Sequence, residues 1–112
     1  MRLTCTLVAA AALGLVAAGS ASSKTAPKLI GTVGPGFTIK MATKPTKAGK
    51  IKLVVSDKSS QHNFHLTGPG VNVKTSVGQS GTKTFTITLK KGTYKFMCDP
   101  HASFMKGSFK VT

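Results

Sequence analysis

From Thr82 to Leu89 the chain alternates without a break, with Phe85, Ile87 and Leu89 on one side and Thr82, Thr84, Thr86 and Thr88 on the other. A period of two is the geometry of an extended strand, where successive side chains point to opposite faces, and it marks this window as a strand with one face buried. Lys50 to Ser56 repeats the pattern, with Ile51, Leu53 and Val55 inward and Lys50 and Lys52 outward. Shorter strand candidates run over Leu29 to Val33, Phe37 to Met41, Val71 to Val73, Thr93 to Cys98 and Gly107 to Val111. His62 to Leu66 is expected to continue the Lys50 strand after a polar break at Asp57 to Gln61. Gly34-Pro35-Gly36 and Lys91-Gly92 supply turns between such runs. Beyond the apolar run near the start, no window has helical amphipathicity. Seven or eight short strands at this spacing predict an all-β domain, an antiparallel β-sandwich with Greek-key connections.

The beginning of the chain reads differently. Met1-Arg2 precedes an apolar run from Leu7 to Ala18, followed by Gly19-Ser20-Ala21, small residues suited to signal cleavage. The run falls well short of the roughly 20 apolar residues a spanning helix needs. Residues 1–21 are therefore expected to be an export signal, 22–28 a flexible tether, and 29–112 one domain. Cys5 would leave with the signal, so Cys98 would remain as the lone thiol and no intramolecular disulfide could form. In an oxidising compartment such a thiol is a liability unless something occupies it, and a metal would.

Cys98-Asp99-Pro100-His101-Ala102-Ser103-Phe104-Met105 places a thiolate, an imidazole and a thioether within eight residues, and His62-Asn63 offers a second imidazole from upstream. Cu(I) and Cu(II) prefer different donors, and a thiolate with two imidazoles and a weak axial thioether is the compromise set for both. Cys98 should point inward, because Tyr94, Phe96 and Cys98 share a face opposite Lys95. Pro100 removes a backbone donor and sets a turn that returns His101 toward the sulfur. His65 competes with His62 for the remaining imidazole position, but three residues apart in an extended segment the two face opposite ways. His62 is preferred, because Asn63 beside it can tie the two donor-bearing loops together by hydrogen bonds. Met105 is the axial candidate; Met97 faces away from Cys98, and Met41 sits in a distant strand.

At these residues the chain resembles the cupredoxins, the small blue copper proteins. In that family the first histidine is followed by asparagine, and cysteine, second histidine and methionine come together near the C-terminus, with a glycine two residues after the methionine. His62-Asn63, Cys98 through Met105 and Lys106-Gly107 reproduce this pattern, and the resemblance extends over Gly34 to Thr112. Two departures are the three-residue spacing between His101 and Met105, and Asp99 where serine or threonine is more usual. A carboxylate at Asp99 is expected to favour Cu(II). The resemblance implies a sandwich fold, one mononuclear type 1 copper held by His62, Cys98, His101 and Met105, one-electron transfer and no enzymatic activity. It also implies that the exposed edge of His101 lies among Ala102, Phe104 and the Gly68-Pro69-Gly70 loop and passes the electron.

The chain carries 16 Lys+Arg against 2 Asp+Glu, a net charge of +14; loss of Arg2 with the signal leaves fifteen lysines and about +13. Such a field attracts acidic partners over long range, so an acidic redox protein or an anionic envelope surface is the expected partner of a monomeric, exported protein. Nucleic acid is disfavoured by the export signal, the absence of arginine after residue 2 and the lack of an aromatic stacking series. Two other readings share these features: a copper-sequestering protein with no redox partner, and a basic module that binds the cell envelope. A dinuclear copper centre is disfavoured because it needs two bridging cysteines.

Overall fold

The computed structural model describes residues 26–112 apart from 43 and 45. The expected signal (1–21) and residues 22–25 of the expected tether lie outside the described residues. Eight strands form two four-stranded sheets packed face to face. The first sheet has the order β2-β1-β3-β6, from β1 (Lys28–Val33), β2 (Ile39–Met41), β3 (Gly49–Asp57) and β6 (Gly81–Leu89). The second has the order β5-β4-β7-β8, from β4 (His65–Gly68), β5 (Val71–Lys74), β7 (Gly92–Met97) and β8 (Lys106–Val111).

The sandwich is not wholly antiparallel, as the alternation had suggested, because β1 and β3 pair in parallel. β2 turns back along the outer edge of β1, and β3 lies on the other side of β1, pointing the same way as β1. β3 and β6 pair along their full length, from Gly49 opposite Leu89 to Asp57 opposite Gly81, and form the spine of this sheet.

A second difference bears on the site. His62 to Leu66 does not continue β3. The Asp57 carboxylate accepts a hydrogen bond from the Ser59 backbone N–H at 3.0 Å, which turns the chain out of the first sheet. The segment then crosses to the second sheet, where β4 begins only at His65. His62, Asn63 and Phe64 lie in this crossing, each buried.

The inner faces of both sheets meet in one core. Leu53, Val55, Leu66, Leu89 and Val111 are almost fully buried, each contributing on the order of 1.5–3 kcal/mol by removal from water. Phe64 stacks on Phe96 with centroids 5.7 Å apart, and Tyr94 stacks on Phe109 at 5.3 Å. The Tyr94 hydroxyl accepts from the Lys90 backbone N–H at 2.8 Å and donates to the Pro69 carbonyl at 3.1 Å, so its burial leaves no polar atom stranded. Gly107, opposite Phe96 in the β7–β8 pair, lets that ring lie across β8; a Cβ there would fall inside the ring's contact distance. Gly107→Ala should therefore cost about 1–3 kcal/mol through overpacking. Gly36→Ala, where an added Cβ meets nothing within 4 Å, should stay within about 0.5 kcal/mol of wild type. Urea unfolding of both variants checks this, and equal stabilities would refute the packing role.

The strand directions gather two sets of loops at opposite ends of the sandwich. Residues 34–38, 58–64 and 98–105 collect at one end; residues 46–48, 69–70 and 90–91 collect at the other.

Candidate metal centre

At the first of these ends β7 delivers Cys98 just beyond its last residue, facing inward as the Tyr94, Phe96, Cys98 alternation requires. A single 3₁₀ turn over Asp99–His101, with Pro100 in its first positions, then reverses the chain. His101 N–H donates to the Cys98 carbonyl at 3.0 Å, and Met105 N–H donates to the His101 carbonyl at 2.8 Å. The loop closes where Cys98 N–H donates to the Met105 carbonyl at 3.0 Å. Backbone hydrogen bonds alone thus hold Cys98, His101 and Met105 on one compact loop.

The crossing from β3 to β4 brings in the remaining donor. His62 Nδ1 lies 3.1 Å from His101 Nδ1 and 3.7 Å from Cys98 Sγ, and Cys98 Sγ lies 3.5 Å from His101 Nδ1. An ion bound at about 2.0 Å to nitrogen and about 2.3 Å to sulfur gives donor–donor edges of roughly 3.3–3.7 Å, so the triangle has the right size for one metal ion. Cys98, His62 and Met105 are 0%, 1% and 1% exposed, whereas His101 is half-buried.

His65 is not part of this set. Its Nδ1 sits 2.8 Å from Asp99 Oδ1 and its Nε2 2.7 Å from Asn72 Oδ1, so the ring is committed on the outer face of the second sheet. Asn63 joins the two donor-bearing segments as its position suggested. Its Oδ1 accepts from Asp99 N–H at 2.7 Å, and its Nδ2 donates to Asp99 Oδ2 at 2.8 Å and to the Thr75 carbonyl at 3.3 Å.

Residues 32–112 match the family model for copper binding proteins of the plastocyanin/azurin family. The chain belongs to that family. Solved structures with the same fold include reduced rusticyanin, with a TM-score of 0.59 and 21% identity over 76% of this chain and 78% of that one. Dithionite-reduced auracyanin from the photosynthetic bacterium Roseiflexus castenholzii gives a TM-score of 0.52 and 21% identity over 80% and 98%. No curated protein matches the chain by sequence. The arrangement of His62, Cys98, His101 and Met105 in this cupredoxin fits a single type 1 copper site.

The surroundings of His101 differ from those expected. The Gly68-Pro69-Gly70 loop lies at the opposite end of the sandwich, where the Pro69 carbonyl holds the Tyr94 hydroxyl, because β4 runs away from the site. The neighbour is Phe37, which belongs to no strand: β2 starts at Ile39, and the 34–38 turn leaves Phe37 free to lean over the site. Its ring makes edge contacts with His101 and His62, at centroid separations of 5.1 and 5.4 Å, and meets Phe104 at 5.9 Å. Phe37 is 61% exposed and Phe104 59%. The one signal for this role in the sequence is an aromatic residue directly after Gly34-Pro35-Gly36.

Two carboxylates sit beside the cupredoxin site with opposite shifts. Burial alone would raise the Asp99 carboxyl, but hydrogen bonds from His65 and Asn63 and the charges of His65 and Lys74 outweigh it and hold it below its ordinary value. That carboxylate faces His65 and Asn63. Burial raises Asp57, and the Ser59 hydrogen bond and the charge of His62 offset this only in part. A depressed folded pKa stabilises the fold above the ordinary value of 3.8 and is lost as pH falls through the depressed value; a raised one gives the opposite slope above 3.8. Asp99→Asn should therefore lower the melting temperature of the metal-free protein near neutrality and converge on wild type in strong acid. Asp57→Asn should gain on wild type as pH rises. Melting curves across a pH series test both, and parallel curves at all pH values would contradict the assigned shifts.

Proposed function

We propose that this cupredoxin carries single electrons outside the cytoplasm, with His62, Cys98, His101 and Met105 as the residues that would hold one copper ion. The observation that carries the reading is the convergence of two imidazole Nδ1 atoms and one thiolate, 3.1–3.7 Å apart, at a buried point closed by the Met105 loop. A bound copper ion supplies the redox chemistry, alternating between Cu(II) and Cu(I).

The residues themselves keep the donors still. Asn63 locks the His62 segment to the residue after Cys98, and the backbone bonds from His101 and to Met105 shape the loop in advance. Donors fixed in this way stay in place when the charge changes, which keeps reorganisation small. Three of the four donors are sealed from water, and only the His101 edge, flanked by Phe37 and Phe104, reaches the surface. An enclosed site with one conducting edge suits an electron carrier better than an enzyme, which must admit a substrate to the metal. The lysine excess suits an acidic redox partner or an anionic envelope surface. Export agrees with the reading of residues 1–21 and with Cys98, the one cysteine among the described residues, being buried among metal donors.

Copper-loaded protein should show an intense thiolate-to-copper band in its visible spectrum, and Cys98→Ser should abolish it. A colourless Cu(II) complex would sink the type 1 assignment. His62→Ala should lose the native spectrum and His65→Ala should keep it, because the His65 ring is held by Asp99 and Asn72; the reverse result would show that the donor was misassigned. Met105→Leu should retain colour and raise the reduction potential, since removing a weak donor to Cu(II) favours Cu(I). Voltammetry reads this, and an unchanged potential would remove Met105 from the site. Slow self-exchange in the wild type would favour sequestration over electron transfer.

A further inference from the structure

The charges are not spread evenly around the sandwich. Lys50 stands near the start of β3, at the end away from the metal site, whereas Lys28 and Lys52, paired with each other, lie nearer the middle of the sheet. Lys44 and Lys47 lie at the same end as Lys50, where Thr112 N–H donates to the Thr46 carbonyl at 2.9 Å. Lys90 and Lys91 occupy the β6–β7 turn, and Lys110 stands opposite Thr93 near the start of β7. Six of the fourteen lysines among residues 26–112, Lys44, Lys47, Lys50, Lys90, Lys91 and Lys110, thus gather toward one pole, while Lys40, Lys58, Lys74, Lys83 and Lys106 lie toward the other. Both aspartates, Asp57 and Asp99, are at the other pole beside the metal donors.

The charge of this six-lysine cluster lies far from the His101 edge. The nine residues of β3 span roughly 30 Å, more than three times the screening length of about 8 Å at physiological salt. An acidic protein attracted by this cluster would be drawn to the end away from His101, so steering of a redox partner falls to Lys40, Lys58, Lys74, Lys83 and Lys106 nearer the metal site.

We propose that this basic pole binds a linear polyanion, a chain polymer bearing repeated phosphate or carboxylate groups, and so holds the protein with its metal end facing outward. Lysine is a compact, mobile point charge, suited to a run of anions rather than to one planar, bidentate group. Lys44, Lys47 and Lys50 rim a depression of about 340 Å³ floored by Pro27, Leu29 and Ile51, which a polymer segment can enter and a flat bilayer cannot. Among the described residues the exposed large hydrophobic side chains are Ile30, Phe37, Val77 and Phe104. Phe37, Phe104 and Val77 lie toward the metal end, and Ile30 lies on an outer sheet face, so none of these is at the pole to insert into a lipid interface. The proposal does not rest on the electron-carrier reading, and Cys98→Ser should bind the polymer as well as wild type does.

Inorganic polyphosphate is the probe. Titrated into copper-loaded, ¹⁵N-labelled protein, it should shift amides of residues 44–52 and 90–91 and leave those around His101 unmoved. Lys44→Gln/Lys47→Gln/Lys50→Gln/Lys90→Gln should lose about tenfold or more in affinity and show a shallower salt dependence. Lys58→Gln/Lys74→Gln/Lys95→Gln/Lys106→Gln removes the same charge elsewhere and should stay within about twofold. Equal losses in the two variants, shifts centred on His101, absence of binding, or tighter binding to phosphatidylglycerol vesicles than to polyphosphate would each overturn the proposal.

Discussion

Asn63 is 2% exposed, and both ends of its amide are engaged across 36 residues of sequence, with Asp99 N–H and the Asp99 carboxylate, and again with the Thr75 carbonyl. A buried amide left without partners would cost about 1–3 kcal/mol, so the crossing segment and the β7 end cannot separate cheaply. The neighbours of Asn63 and Asp99 in the chain are His62 and Cys98. A lock made one residue away from each donor sets their separation whether or not a metal is bound. Thr75 reinforces it from behind, exchanging hydrogen bonds with the Phe64 backbone at 2.9 and 3.0 Å.

The rest of the molecule serves this lock. Phe64, next to Asn63, stacks on Phe96, two residues before Cys98, so the core packing and the polar lock clamp the same two segments. Gly107 leaves the space that Phe96 needs. Above the site, Phe37 and Phe104 frame His101 and leave its edge at the surface while His62 remains sealed. Asp99 connects the lock outward to His65, which explains how a second histidine so near the site can be absent from it.

The sandwich also separates its surfaces by chemistry. One end combines aromatic rings, the metal donors, the two aspartates and five lysines; the other carries six lysines and neither aspartate. A strand-built domain achieves this readily, because alternate loops fall at opposite ends and each set can carry its own composition.

Much of this was legible in the chain. Alternation in Thr82 to Leu89 and Lys50 to Ser56 determined the two longest strands and their inward faces, because a period of two leaves one side to be buried. Donor type and spacing determined the copper chemistry, since thiolate, imidazole and thioether in one short loop suit few other ions. The His62 segment was misplaced as an extension of β3, because strand propensity does not show where a chain leaves one sheet for another; the Asp57 to Ser59 hydrogen bond decided that. The parallel pairing of β1 with β3, Phe37 over the two imidazoles and the gathering of six lysines toward one pole were likewise settled only by tertiary structure. Each depends on which strand lies beside which, and residues far apart in the chain become neighbours only through long-range pairing that local pattern does not encode.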